Sequence, residues 1–245
     1  MIRIAAIATS AALLAACSSS TAGGPGTSSD ASIPDEATDG GETGDDSASQ
    51  SAGSADVTGS FNGQALGVQS AFAGIASAPG IDAGSILYEA VINLVSVANA
   101  CSFYTLYPDQ SVYIHDSQDL TLLVITDSPL TPGTFPIVPP NIVASTNISA
   151  LGAVALYSSS DAVCNGTDFE EAASGTITIT TVTASEFTGT FDLVLGEPLA
   201  TGTVDTINPD HVSGSFTAFV CPDFSTDLTD EVDGSTPSQG AGMCL

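Results

Sequence analysis

Three runs in the second half of the chain alternate apolar and polar residues with period two. In "GTITITTV", Ile177 and Ile179 alternate with Thr176, Thr178 and Thr180. In "EFTGTFDLVL", Phe187, Gly189, Phe191, Leu193 and Leu195 share one face, as do Val212, Gly214, Phe216, Ala218 and Val220 in "HVSGSFTAFVC". Strict alternation is the pattern of half-buried antiparallel strands, so these runs predict a β meander. A short motif accompanies them: an apolar residue, Ser or Thr, Gly, Ser or Thr, then an apolar residue. It occurs at Val57–Phe61, Ala173–Ile177, Phe187–Phe191, Ala200–Val204 and Val212–Phe216. Glycine on an inward face permits a bulge or bend, or lets a neighbouring aromatic ring lie over bare backbone. The occurrences are too short and irregularly spaced for a solenoid or propeller. Curved sheets are expected: an all-β fold, either an antiparallel β-sandwich or a partly closed β-barrel.

Weaker strand patterns cover Ala65–Ala73, Ile86–Val97, Leu120–Thr126, Thr134–Val138 and Val143–Tyr157. The segment "ILYEAVINLVSVANAC" also fits a helix, because Ala90, Leu94 and Ala98 recur at helical spacing; its Val and Ile content favours strand. Pro129, Pro132, Pro136, Pro139 and Pro140 mark a loop-rich crossing where a central strand is not expected.

The N-terminus has a different pattern. Arg3 is followed by an apolar run, Ile4 to Leu14, then by Ala15, Ala16 and Cys17, the layout of a secretory signal that is too short to span a bilayer. The tetrapeptide Leu14-Ala15-Ala16-Cys17 resembles the lipobox of bacterial lipoproteins, in which cleavage precedes the cysteine and its thiol carries a diacylglycerol. The resemblance implies signal peptide 1–16, Cys17 as the site of lipid attachment and a chain exported to the cell envelope. Acyl chains contribute roughly 0.8 kcal/mol per buried CH₂, enough for a stable anchor when several are attached. Ser18 stands where such lipoproteins carry Asp for inner-membrane retention, which implies the outer membrane. Near the other end, "GTFDLVL" followed by "VSGSFTAFVC" resembles uncharacterised bacterial lipoproteins with a β domain behind a Ser/Gly-rich tether, a likeness that brings no catalytic residues.

From Ser18 to Asp56 the chain is Gly, Ser, Ala, Thr, Asp and Glu with Ile33 as its only large apolar residue, a composition that predicts a disordered acidic tether. Flexible-chain scaling gives it a root-mean-square span of about 35 Å. Residues 57–222 are the β domain, and 223–245 form an acidic tail. Arg3 is the only Lys or Arg against 28 Asp and Glu. Cleavage before Cys17 would leave no permanent cation, so carboxylates must be relieved by solvent, hydrogen bonds, divalent cations or a cationic partner surface. Phosphate clamping and nucleic-acid binding both need basic residues, which excludes nucleic acid as a partner.

With Cys17 lipidated, Cys101, Cys164, Cys221 and Cys244 remain, an even number in an exported chain, where two disulfides are expected. Three connectivities stay open. No CxxC or HxxxH spacing supports zinc.

Candidate chemistry is thin. His115 and Asp116 have the residue types of a base and its orienter, but strand neighbours point to opposite faces, and no GxSxG nucleophile motif accompanies them. His211, after Asp210, is expected in a turn at the head of a strand. Glu170 and Glu171 would serve glycoside hydrolysis only with a further carboxylate across a cleft; a solvated loop is the expectation. Phe103, Tyr104, Tyr107 and Tyr113 gather near Cys101 as sheet-rim packing or an exposed binding patch. In "STDLTDEVDGST", Asp227, Asp230, Glu231 and Asp233 crowd oxygen ligands before Gly234, although Thr229 occupies the first ligand position of an EF-hand loop. A solvated tail is expected there, with Ca²⁺ as the alternative, and no cofactor otherwise.

These features together lead to a non-enzymatic, membrane-anchored envelope lipoprotein whose β domain serves interaction with an envelope protein, or structure. Two alternatives belong to other classes: a small-ligand carrier with a lipocalin-like interior, and a calcium-dependent adhesion module. A hydrolase would require a cleft joining His115 to a Ser and a carboxylate.

Overall fold

The computed structural model describes residues 53–79, 86–102, 112–138, 152–199, 202–221 and 243–244. The strands are β1 (Ser54–Thr58), β2 (Ser70–Pro79), β3 (Ile86–Val95), β4 (Val112–Tyr113), β5 (Gln118–Thr126), β6 (Gly133–Pro136), β7 (Gly152–Ser160), β8 (Gly166–Val182), β9 (Glu186–Gly196), β10 (Asp210–Val220) and β11 (Met243–Cys244). The expected meander is β8–β9–β10, each pair antiparallel. The ambiguous segment starting at Ile86 is strand as far as Val95, hydrogen-bonded on both edges, and ends in a turn that becomes helical at 100–102.

Seven strands close into a barrel, in the order β2, β3, β5, β7, β8, β9, β10 and back to β2. The closing seam differs from the rest. Six neighbouring pairs are antiparallel, but β10 meets β2 in parallel over only Phe219↔Phe72 and Val220↔Ala73. The seam is short because β1 occupies the same edge of β10 from Ser213 to Thr217. One further backbone bond, Cys221 N–H to the Ala73 carbonyl at 2.8 Å, extends it. On the other side the long β8 shares one edge between β7 and β6, and its register shifts twice, between Ala172 and Ser174 and between Ile179 and Thr181. Gly175 lies just past the first shift at φ 133°, a backbone state that a side chain would strain. Among the described residues the proline-rich crossing supplies β6, ending at Pro136 on a sheet edge as its missing donor requires.

Period two fills this closed tube. Inward residues from all seven strands form one buried cluster: Ala71 and Ala73, Ile92 and Leu94, Leu120, Leu122 and Val124, Ala153, Ala155 and Tyr157, Ala172, Ile177 and Ile179, Phe187, Phe191, Leu193 and Leu195, Val212, Phe216 and Ala218. Two smaller clusters lie outside it, one around Phe72, Val95, Ala100 and Cys221, the other around Leu123, Ile125 and Val154. A barrel of this strand number has an interior that side chains can occupy completely.

The glycine motif serves two purposes. Gly59, Gly175 and Gly202 take positive φ at bends. Gly189 and Gly214 are extended and face each other's aromatic neighbours, because Phe216 pairs with Gly189 and Phe191 with Gly214. A Cβ on Gly189 would stand 2.7 Å from Phe216 Cζ and press on the Thr178 carbonyl; one on Gly214 would stand 2.7 Å from Phe191 Cζ. Each ring therefore lies over the other strand's bare backbone. Gly189→Ala is expected to destabilise the domain by about 2 kcal/mol through overpacking, read as a lower urea midpoint at unchanged m-value. A loss below about 0.5 kcal/mol would mean that the rings have room to move.

Candidate functional site

One end of the barrel is closed by the loop between β1 and β2. Asn62 and Gly63, at φ 46° and 79°, form a two-residue turn of type I′, with Phe61 N–H to the Gln64 carbonyl at 2.8 Å and Gln64 N–H to the Phe61 carbonyl at 2.9 Å. The turn inserts Phe61 into the barrel, where its ring stacks on Tyr157 at 3.9 Å between centroids and 9° between planes. Leu66 follows it into the core. Asn62 clamps the plug to two strand starts: its main-chain N–H donates to Asp210 Oδ2 at 2.6 Å and its Nδ2 to Asp168 Oδ1 at 2.7 Å.

Glu170 lies beside this plug. It is the cross-strand neighbour of Tyr157, points inward and is only 2% exposed. Neither of its carboxylate oxygens has a hydrogen-bond partner, and neither has the Tyr157 hydroxyl. Burial, then the charge and close approach of Asp210, then the Asp168 and Glu197 carboxylates, push the Glu170 carboxyl up to about 8. It is therefore mostly a neutral acid at pH 7. Burial likewise holds the Tyr157 phenol at about 12. On the outer face of β5, burial pushes Asp119 up to about 7, opposed by the Thr121 hydroxyl at 3.3 Å; its Oδ1 has no partner. The expectation of a solvated loop for Glu170 and Glu171 is thus corrected. Both lie in β8, Glu170 inside the barrel and Glu171 half-buried on the opposite face, where burial raises its carboxyl too.

Around the plug the mouth forms a hollow of about 740 Å³, lined by amides, hydroxyls and the carboxylates of Asp116, Asp168 and Glu197. Its oxygens come from Gln69 before β2, Ser96 after β3, Ser117 and Gln118 at the start of β5, and Ser159 and Ser160 at the end of β7. All these positions fall at one end of the barrel because the ring alternates strand starts with strand ends there.

His115 and Asp116 sit in the turn between β4 and β5 rather than on a strand, so their side chains can meet: Nδ1 and Oδ2 are 3.3 Å apart, both residues exposed. The nearby Ser117 hydroxyl donates to the Ile114 carbonyl at 2.8 Å, as does that of Ser160 at 2.6 Å, so neither is presented to the imidazole as a nucleophile. His211 is the second residue of β10, exposed and paired with Val194, rather than a turn residue.

Cys101 pairs with Cys221, and Cys164 is also disulfide-bonded. Cys164 occupies the β7–β8 loop, which Asp161 fixes by accepting from the main-chain N–H groups of Val163 and Asn165, both at 2.9 Å. Cys17, where lipid attachment is expected, the aromatic group Phe103, Tyr104, Tyr107 and the Tyr113 side chain, the acidic residues Asp227, Asp230, Glu231 and Asp233, and the Cys244 side chain lie outside the described residues. Among the described residues no three His, Cys, Asp or Glu side chains gather as a metal-binding group. Comparison of the chain with family models, with curated proteins and with solved structures returned no match.

Proposed function

We propose that this chain is a non-enzymatic envelope lipoprotein, acylated at Cys17, that presents a rigid β-barrel on an acidic tether as an interaction module. The closed, filled barrel supports this best. Inward side chains from every ring strand occupy the tube, and the plug of Phe61 and Leu66 completes it. Display of a fixed surface suits such a body better than enclosure of an apolar guest, which would have to displace core residues. The module's polar face is the mouth, where loop and strand ends from the whole ring converge. If Cys17 carries lipid, Cys244 alone is left to pair with Cys164, and peptide mapping with Asp-N protease under non-reducing conditions, the mature chain having no Lys or Arg for trypsin, would recover that linked peptide.

Metabolic labelling with palmitate in a bacterial host tests the anchor. Label is expected on the wild type, in the membrane fraction, and lost in Cys17→Ala. An unlabelled wild type released as soluble protein would contradict it.

A further inference from the structure

We propose that the loop from Gly59 to Gln69 is a proton-controlled plug: it stays seated while Glu170 is a neutral acid and opens, ahead of the barrel wall, when Glu170 ionises. This goes beyond the anchored module, does not depend on acylation and gives an otherwise fixed body one moving part.

The plug is held lightly. Among the described residues, the main-chain bonds of 61–68 are the two that close its own turn and the one from Asn62 to the Asp210 side chain. Its side chains reach the wall through Asn62 to Asp168 and through Gln64, which accepts from Gln118 Nε2 at 3.3 Å. The ring strands instead carry continuous ladders, such as Glu186–Leu195 against Asp210–Phe219. A segment tied by a few exposed bonds opens before the core does.

The plug's anchors are the groups that bear on Glu170. Asp210 and Asp168 accept from Asn62, and with Glu197, just past β9, their charges act on Glu170. From β7 Glu170 faces the Tyr157 phenol, on which Phe61 is stacked. The loop Gly59–Gln69 brings no ionisable side chain, so every charged group acting on Glu170 is an acid. Glu170 is also 2% exposed, with no hydrogen-bond partner for either oxygen. A neutral carboxyl tolerates such a site; a carboxylate there would have neither hydrogen bonds nor a countercharge, which is costly. Lifting the plug admits water to those oxygens and withdraws Phe61 from Tyr157. The open state therefore binds the Glu170 proton more weakly than the seated state, and rising pH favours opening.

NMR of the oxidised chain from pH 6 to 9, at constant ionic strength, is the test. The Glu170 carboxyl ¹³C shift reads ionisation. Exchange protection of the Asn62 amide, corrected for the chemical rate at each pH, reads the plug, and that of the Phe191 amide reads the wall. Asn62 protection is expected to fall about tenfold or more, in step with the Glu170 titration, while Phe191 stays protected. Glu170→Gln, and Glu170→Met as a second uncharged side chain, are expected to hold Asn62 protection level across the range. The wild-type titration decides the matter by itself if neither variant folds. Unchanged Asn62 protection with Glu170 ionised, the same fall in an uncharged variant, or loss of Phe191 protection in step with Asn62 would each overturn the proposal.

Discussion

Replacing Cys101 and Cys221 together by Ala is expected to lower the unfolding free energy by about 5 kcal/mol, the chain-entropy value for a loop of this length. The bridge spans 120 residues, so it restricts the unfolded chain strongly. It also stands where the fold is weakest. Cys221 follows Val220, the last residue of the two-pair parallel seam between β10 and β2, and Cys221 N–H continues that seam to Ala73. Cys101 packs with Phe72 of β2 and Val95 of β3 in a small cluster outside the main core. The bridge therefore binds the end of the third strand's loop to the point where the barrel closes. Denaturant unfolding of wild type and double variant reads the loss, with midpoint and m-value reported separately. A loss under about 1 kcal/mol would mean that the seam holds without the bridge, or that the unfolded chain is already restricted there.

The second large effect is in pH. Glu170 titrates near 8 in the folded chain and near 4.5 unfolded, so the native state holds its proton more tightly. Between these values the folded state binds more protons, and stability falls as pH rises. Below pH 4.5 both states are protonated and the penalty vanishes; above 8 it is complete. Partial screening at a barrel mouth reduces the full linkage value, which leaves about 3 kcal/mol. Asp119 acts in the same direction but reaches its limit near pH 7. Glu170→Gln is thus expected to raise stability at pH 9 by about 3 kcal/mol while changing it little at pH 4, leaving the slope below pH 7 that Asp119 causes. Urea midpoints from pH 4 to 9 at constant ionic strength read this, since general carboxylate repulsion also grows with pH and is screened by salt. A variant whose profile parallels the wild type at pH 7 to 9 would show that Glu170 is already ionised in the folded protein.

The meander and its glycines were legible because they are local. Alternation in Phe187–Leu195 and Val212–Val220 specifies which face is buried, and a glycine among large inward residues asks for a ring to cover it; Phe216 over Gly189 and Phe191 over Gly214 answer that. Closure was not legible. Sandwich and barrel differ here by the contact of Phe72 and Ala73 with Phe219 and Val220, which no short-range pattern encodes. The strand expected over Ala65–Ala73 starts only at Ser70, because Leu66 is drawn into the core as part of the plug and its apolar character imitates a strand position. The mouth was missed because its parts come from Asn62, Asp168, Glu170 and Asp210, distant in sequence. Two cues were available. Asn62-Gly63 is a type I′ turn signal, and alternation counted back from Ala172 puts Glu170 and Asp168 on the inward face of β8.

The central claim is that the sheet closes on itself through the β2–β10 seam. Amide hydrogen exchange at Cys221, in the oxidised chain at pH 6, tests it most directly, since this N–H is hydrogen-bonded only if Ala73 lies alongside. The barrel predicts protection approaching that of the β9–β10 amides, such as Phe191. Exchange at the rate of an open chain, with β9 and β10 still protected, would contradict closure and return the fold to an open sandwich.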